Sequence, residues 1–170
     1  MGVRHSSHNA FYNKRMTVLK EAKKACKEFQ SVPYQKTFIP SYVSDVYDGD
    51  TLTAEIMFEN APFKFKLRVA GIDAPEIRSK NPFEREAAMV ARDYVSDLVS
   101  NSYKSIILYK LDKYGGRYVG DLYVQNMLLS ELLIKYNLAK TYDKTKQAWT
   151  DDEYKRIIEF GKNMKTVSKN

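Results

Sequence analysis

Apolar and polar positions recur regularly enough to divide most of this chain into elements. Residues 1–10 are polar. Over 11–30, Met16, Leu19, Ala22, Cys26 and Phe29 recur near helical spacing and lysines fill much of the rest, which predicts a basic amphipathic helix. Ser31-Val32-Pro33 ends it, because a residue before proline is biased away from helix. Residues 38–47 read as a strand, and Asp48-Gly49 is a hairpin turn signal. From Thr51 to Phe58, the apolar residues Leu52, Ala54, Ile56 and Phe58 fall at every second position, the pattern of a strand with one buried face. Asn60-Ala61-Pro62 turns the chain. Phe63, Phe65 and Leu67 then alternate with Lys64, Lys66 and Arg68 in a third strand. A loop through Asp73-Ala74-Pro75-Glu76 follows. Asn81-Pro82 opens a helix over 82–100, with proline suited to the first turn. Ile106–Tyr109 and Val119–Val124 predict the fourth and fifth strands. Met127–Tyr136 is apolar at helical spacing. Thr150 starts a last helix, with Glu153 three residues on in a capping-box pattern. Three strands, a helix, two strands and two helices predict an α+β chain, a small β-barrel with helical cover.

Composition narrows this picture. With 170 residues and 44% hydrophobic content, the chain suits one domain plus an appendage, large enough to bury a core. No apolar run approaches the ~20 residues that span a membrane. The start has no apolar signal-peptide region, so an intracellular location is the expectation. Cys26 is the only cysteine, which excludes an intrachain disulfide. Net charge is +7, but residues 1–36 hold eight Lys or Arg against two acids, and so +6 of it. The sequence therefore divides into a basic, partly helical extension over 1–36 and a nearly neutral body over 37–170.

Three short runs carry the candidate chemistry: Asp48-Gly49-Asp50-Thr51, Arg68-Val69-Ala70-Gly71-Ile72-Asp73-Ala74-Pro75-Glu76, and Asp112-Lys113-Tyr114-Gly115-Gly116-Arg117. Each has a plain reading on its own. Asp and Gly suit turns. Asp73 suits a loop and Glu76 the entry to a helix. Arg68 and Arg117 suit a solvated basic face, and Lys113 and Tyr114 an exposed loop. Together the runs offer several carboxylates, guanidiniums and a tyrosine, a set suited to phosphodiester hydrolysis. Carboxylates hold a hard divalent cation, another activates water, and arginines neutralise a phosphate. The two histidines, His5 and His8, lie in the polar start, and there is no Cys/His zinc spacing or phosphate-binding glycine loop.

In order and spacing these runs resemble the staphylococcal nuclease (thermonuclease-like) family, over roughly residues 38–165. The resemblance implies a five-stranded OB-fold β-barrel with about three covering helices, alongside the basic N-terminal helix. It implies Asp50 and Asp73 as metal carboxylates, the backbone carbonyl of Ala74 as a further ligand, and Ca²⁺ as the ion. Glu76 matches the general base or water-orienting residue, and Arg68 and Arg117 match the arginines at the scissile phosphate. Lys113 and Tyr114 match contacts to a nucleotide phosphate, and Tyr142 lies where tyrosines line the base pocket. Asp48 is expected to tune the metal site from behind the ligands. Ala74 replaces a threonine of the bacterial prototype, which a backbone ligand tolerates. Gly115-Gly116 stands where the prototype has one glycine, an insertion that bears on where Arg117 reaches.

The implied activity is calcium-dependent cleavage of DNA and RNA, leaving a 3′-phosphate and a 5′-hydroxyl. The alternatives are a nucleic-acid-binding OB module without catalysis, and a membrane-tethered adaptor with a vestigial site. Gly2 with Ser6 fits an N-myristoylation pattern, and the basic helix behind it would supply a second signal for an anionic membrane. Two other roles stay open for that helix: holding nucleic acid by phosphate contacts, or packing its apolar face on the barrel.

Overall fold

The computed structural model describes residues 39–58, 61–101, 106–114, 117–143 and 148–167. The expected helix over 11–30, Gly2, Cys26, His5 and His8 all lie outside them. The described elements are β1 (Ile39–Val46), β2 (Thr51–Phe58), β3 (Ala61–Val69), β4 (Ile72–Asp73), α1 (Pro82–Asn101), β5 (Ile106–Tyr114), β6 (Arg117–Val124), β7 (Met127–Leu128), α2 (Leu129–Lys135), β8 (Lys140–Thr141) and α3 (Asp151–Val167).

The long strands form one mixed sheet in the order β3-β2-β1-β5-β6-β7. All neighbours in that order are antiparallel. β3 also pairs with β6 in parallel, Leu67 beside Tyr118 and Arg68 beside Val119, so the sheet curls until its first long strand meets its last. A bulge between Val43 and Asp45 in β1 and another between Tyr109 and Asp112 in β5 supply local bending. The result is an α+β fold of OB-like form, with three helices as cover.

Its core joins Leu52 and Ala54 of β2, Phe65, Leu67 and Val69 of β3, and Leu122 and Val124 of β6 to Ile72, Leu129, Leu133, Leu138 and Ile157. Each large side chain buried this way contributes roughly 1.5–3 kcal/mol. α1 presents Ala87, Ala88, Ala91, Val95 and Val99, all buried, along one stripe. Small residues there let the helix lie close. A β-carbon at Gly49, in the β1–β2 turn, would come within 3.0 Å of the Ala74 and Ala91 β-carbons. Gly49, Ala74 and Ala91 are thus small for one reason, because turn, loop and helix converge on the same spot. α3 packs on α1, with Gly161 against Val90.

The ends of the helices follow from the sequence. The Asn81 side-chain oxygen accepts the Phe83 N–H at 2.9 Å and caps α1 ahead of Pro82. Thr150 and Glu153 form the expected capping box: Glu153 N–H donates to Thr150 Oγ1 at 3.3 Å, and Thr150 N–H donates to Glu153 Oε2 at 2.8 Å.

Two expectations need correction. Met127–Tyr136 is not helical throughout. Gln125 and Asn126, at φ 53° and 65°, make a two-residue turn that sends Met127–Leu128 back along β6, and helix begins only at Leu129. β2 does not have a single buried face either, since Thr53 and Glu55 are buried as well. Glu55 lies between Tyr42 and Lys64 in register, with Lys64 Nζ 3.8 Å from its carboxylate, and Lys66 Nζ donates to Thr53 Oγ1 at 2.9 Å. Lysine stems lie over that face and leave their ammonium groups outside.

Candidate active site

The β1–β2 turn is built around a carboxylate. Asp48 Oδ1 accepts the N–H of Thr51 at 2.8 Å and of Asp50 at 3.3 Å, an Asx-type turn that buries Asp48 and points Asp50 inward. Asp50 is 2% exposed. Its Oδ1 accepts Arg68 Nη1 at 2.7 Å and Thr51 Oγ1 at 2.9 Å, and its Oδ2 accepts the Ala74 N–H at 3.0 Å. Arg68 comes from the end of β3, next to the turn, where Val69 N–H donates to the Asp50 carbonyl at 2.8 Å.

Arg68 Nη2 reaches Asp73 Oδ1 at 3.1 Å and the Ile72 carbonyl at 3.3 Å. One guanidinium therefore bridges two carboxylates that lie 23 residues apart in sequence. Gly71, at φ 76°, makes the reversal that carries the chain from β3 into β4 and sets Asp73 beside Arg68. β4 is fixed from its other side by β8, Asp73 opposite Lys140, and Tyr142 N–H donates to the Gly71 carbonyl at 2.8 Å. That places Tyr142, which is 52% exposed, at the rim of the same site.

Negative charge accumulates here. Asp48 is pushed up to about 7, by burial first and then by repulsion from Asp50 and Glu76, against the hydrogen bonds from the Asp50 and Thr51 N–H groups. The Glu76 carboxyl, exposed at the mouth of the site, is also raised: partial burial raises it first, repulsion from Asp50 next, and Asp73 and Glu84 add to it while Arg68 opposes. Among the described residues no three His, Cys, Asp or Glu side chains close into a ready-made metal cluster. The donor chemistry nevertheless fits a hard cation. It is all oxygen and crowded with carboxylates, two of which already attract one cation, the Arg68 guanidinium.

The structure thus brings together Asp48, Asp50, Arg68, Asp73, Ala74, Glu76 and Tyr142 of the residues expected from sequence. For Lys113, Tyr114 and Arg117 it describes the backbone. Lys113 and Tyr114 end β5, Arg117 opens β6 opposite Tyr114, and Val119 two residues on lies beside Arg68. Gly115 and Gly116 lie outside the described residues. Sequence reasoning missed Thr51, Ser79, Glu84 and Tyr154. The one signal for Glu84 was an acid in the first turn of a helix that follows Asn-Pro.

A fold and a site of this kind define a class, and the comparisons with known proteins give it a family. Residues 66–169 match the family model described as staphylococcal nuclease homologue. The match covers more than half of the chain, and the chain belongs to that family. It is similar to a probable staphylococcal-like nuclease of Oryza sativa subsp. japonica, CAN3, at 40% identity over 84 residues that make up 48% of this chain and 20% of the relative. It is similar to the staphylococcal-like nuclease CAN1 of Arabidopsis thaliana at 37% identity over 79 residues, 46% of this chain and 22% of the relative. An uncharacterized 38.1 kDa protein of Capnoides sempervirens is 34% identical over 101 residues, 58% of this chain and 28% of its own. The chain therefore spans only 20% to 28% of the length of these curated relatives.

Proposed function

We propose that this chain is a calcium-dependent nuclease that hydrolyses the phosphodiester bonds of DNA and RNA. The observation that carries the reading is the Asp50–Arg68–Asp73 bridge, with Asp48 and Glu76 gathered round it. Asp48 and Glu76 are raised by burial first and then by neighbouring carboxylates, a perturbation that clusters at sites that bind or react.

In this reading Asp50, Asp73 and the Ala74 carbonyl would hold the ion. Bound Ca²⁺ would neutralise a phosphate oxygen and acidify a neighbouring water. Glu76 orients that water and takes its proton, a role its raised carboxyl suits. Water oxygen bonds to phosphorus in line with the 5′ oxygen, the P–O5′ bond breaks, and the leaving oxygen takes up a proton. Arg68 and Arg117 stabilise the charge that develops on the phosphoryl oxygens. Lys113 and Tyr114 bind a neighbouring phosphate, and Tyr142 at the rim stacks on a base. Asp48 keeps the Asp50 turn in shape. The same reading extends to residues 1–36, as a basic extension bearing a lipidation site at Gly2 that brings the body to anionic membranes inside the cell.

Digestion of an oligonucleotide in ¹⁸O-water with Ca²⁺ tests the reaction. The expected products carry one label on a 3′-phosphate and none on a free 5′-hydroxyl. Binding of nucleic acid without any cleavage would favour the non-catalytic module instead.

A further inference from the structure

We infer that Glu84, beside the buried Tyr154, is a positioning residue that fixes where Glu76 stands. The inference rests on the reading above, in which Glu76 acts on the attacking water. Glu76 lies in the segment between β4 and α1, a stretch without regular structure in which Glu76, Arg78 and Lys80 are exposed. Such a segment would not by itself hold a carboxylate to the sub-ångström placement that proton transfer needs.

Glu84, in the first turn of α1, supplies the missing rigidity. Its Oε1 accepts the backbone N–H of Glu76 at 3.2 Å, and its Oε2 accepts the Ser79 hydroxyl. Ser79 N–H in turn donates to the Glu76 carbonyl at 3.2 Å, so both ends of the Glu76 backbone are tied to one carboxylate. Tyr154 of α3 is 4% exposed and lies beside the Glu84 carboxylate. Burial, then the charge of Glu84 and hydrogen bonding toward it, hold the phenol well above the ordinary tyrosine range. The chain of contacts therefore runs from a buried ring in the helical layer, through one carboxylate, to the backbone of the residue at the mouth of the site. A residue needed only to cap α1 has no reason to reach back to Glu76, because Asn81 already caps that helix.

The test has a structural arm and a kinetic arm, both on the full chain. In metal-free protein, Glu84→Ala should speed amide hydrogen exchange of Glu76 by about 10-fold or more, and Tyr154→Phe, which removes only a hydroxyl, should do so to a lesser degree. On a DNA oligonucleotide with Ca²⁺, Glu84→Ala should lower kcat about 10-fold or more with KM within about 2-fold. In a Glu76→Ala background, the same Glu84→Ala change should cost almost nothing further, since there is no carboxylate left to position. Equal losses from Glu84→Ala in both backgrounds would overturn the inference, as would unchanged exchange at Glu76 in Glu84→Ala and Tyr154→Phe alike. Full activity of Glu76→Ala itself would instead remove the function assigned to Glu76, an outcome the exchange arm keeps separate.

Discussion

Asp50 and Glu76 illustrate two kinds of carboxylate in one site. Asp50 is buried and uses both oxygens on three neighbours, so it shapes the site as well as charging it. Glu76 is exposed, and its structural ties run through its backbone. Replacing Glu76 by Gln should therefore lower kcat by about 10²–10⁴, the usual range for a general base. The melting temperature of the metal-free variant should not fall, because a charge repelled by Asp50, Asp73 and Glu84 has been removed. Kinetics and thermal unfolding on the same preparation check both halves. Asp48, Asp50, Arg68, Asp73, Ala74 and Glu76 could be grouped from the sequence because the runs that hold them resemble one family in order and spacing, and the fold does bring them to one place. Glu84 and Tyr154 were not legible. An acid in a first helical turn and a tyrosine on an amphipathic face have ordinary structural reasons to be there, and only their contact reveals another.

At the scale of elements, the ends of helices were easier to place than short strands. Asn81-Pro82 and Thr150-Glu153 encode their caps locally, in side chains that bond the next turn. β4, β7 and β8 are two-residue pairings made by tertiary contact, and no periodicity can appear in two residues. β2 misled for a related reason, since lysines from the neighbouring strand bury polar positions that alternation assigns to solvent. Glu153 also ties α3 to β8, through Lys140 Nζ at 2.8 Å. Burial alone would raise its carboxyl, but hydrogen bonds from Lys140 and Thr150 outweigh that and hold it below the ordinary 4.5. A depressed folded-state pKa contributes stability above the unfolded value and loses it as pH falls through the folded one. Glu153→Gln should thus melt below the wild type at pH 7, with the gap closing as pH drops below 4.5. Thermal unfolding of both proteins across that window is the check.

For the whole molecule, charge and fold are separate in sequence. The buried core runs from Val43 to Ile158, while the net positive charge lies in residues 1–36. Removing residues 1–34 should leave a folded nuclease with unchanged kcat on short substrates, and should weaken salt-sensitive binding to anionic vesicles or long nucleic acid. Loss of cooperative unfolding on truncation would show instead that the extension packs on the body. Among the described residues no helix is long and apolar enough to cross a membrane. The fold class was legible because five strand-like runs and three helical ones leave few ways to bury their apolar faces. The closure of β3 on β6 was not, since parallel pairing between distant strands leaves no local mark.

The account turns on whether the Asp50–Arg68–Asp73 site cleaves nucleic acid with calcium. Its most direct test is single-turnover cleavage of an end-labelled DNA oligonucleotide by the wild type and by Asp50→Asn, each with millimolar-scale Ca²⁺ and with excess chelator. The wild type should cleave with calcium and fall silent with chelator, and Asp50→Asn should be slower by about 10²-fold or more. Chelator-resistant cleavage, absence of cleavage by the wild type with calcium, or wild-type rates in Asp50→Asn would contradict it.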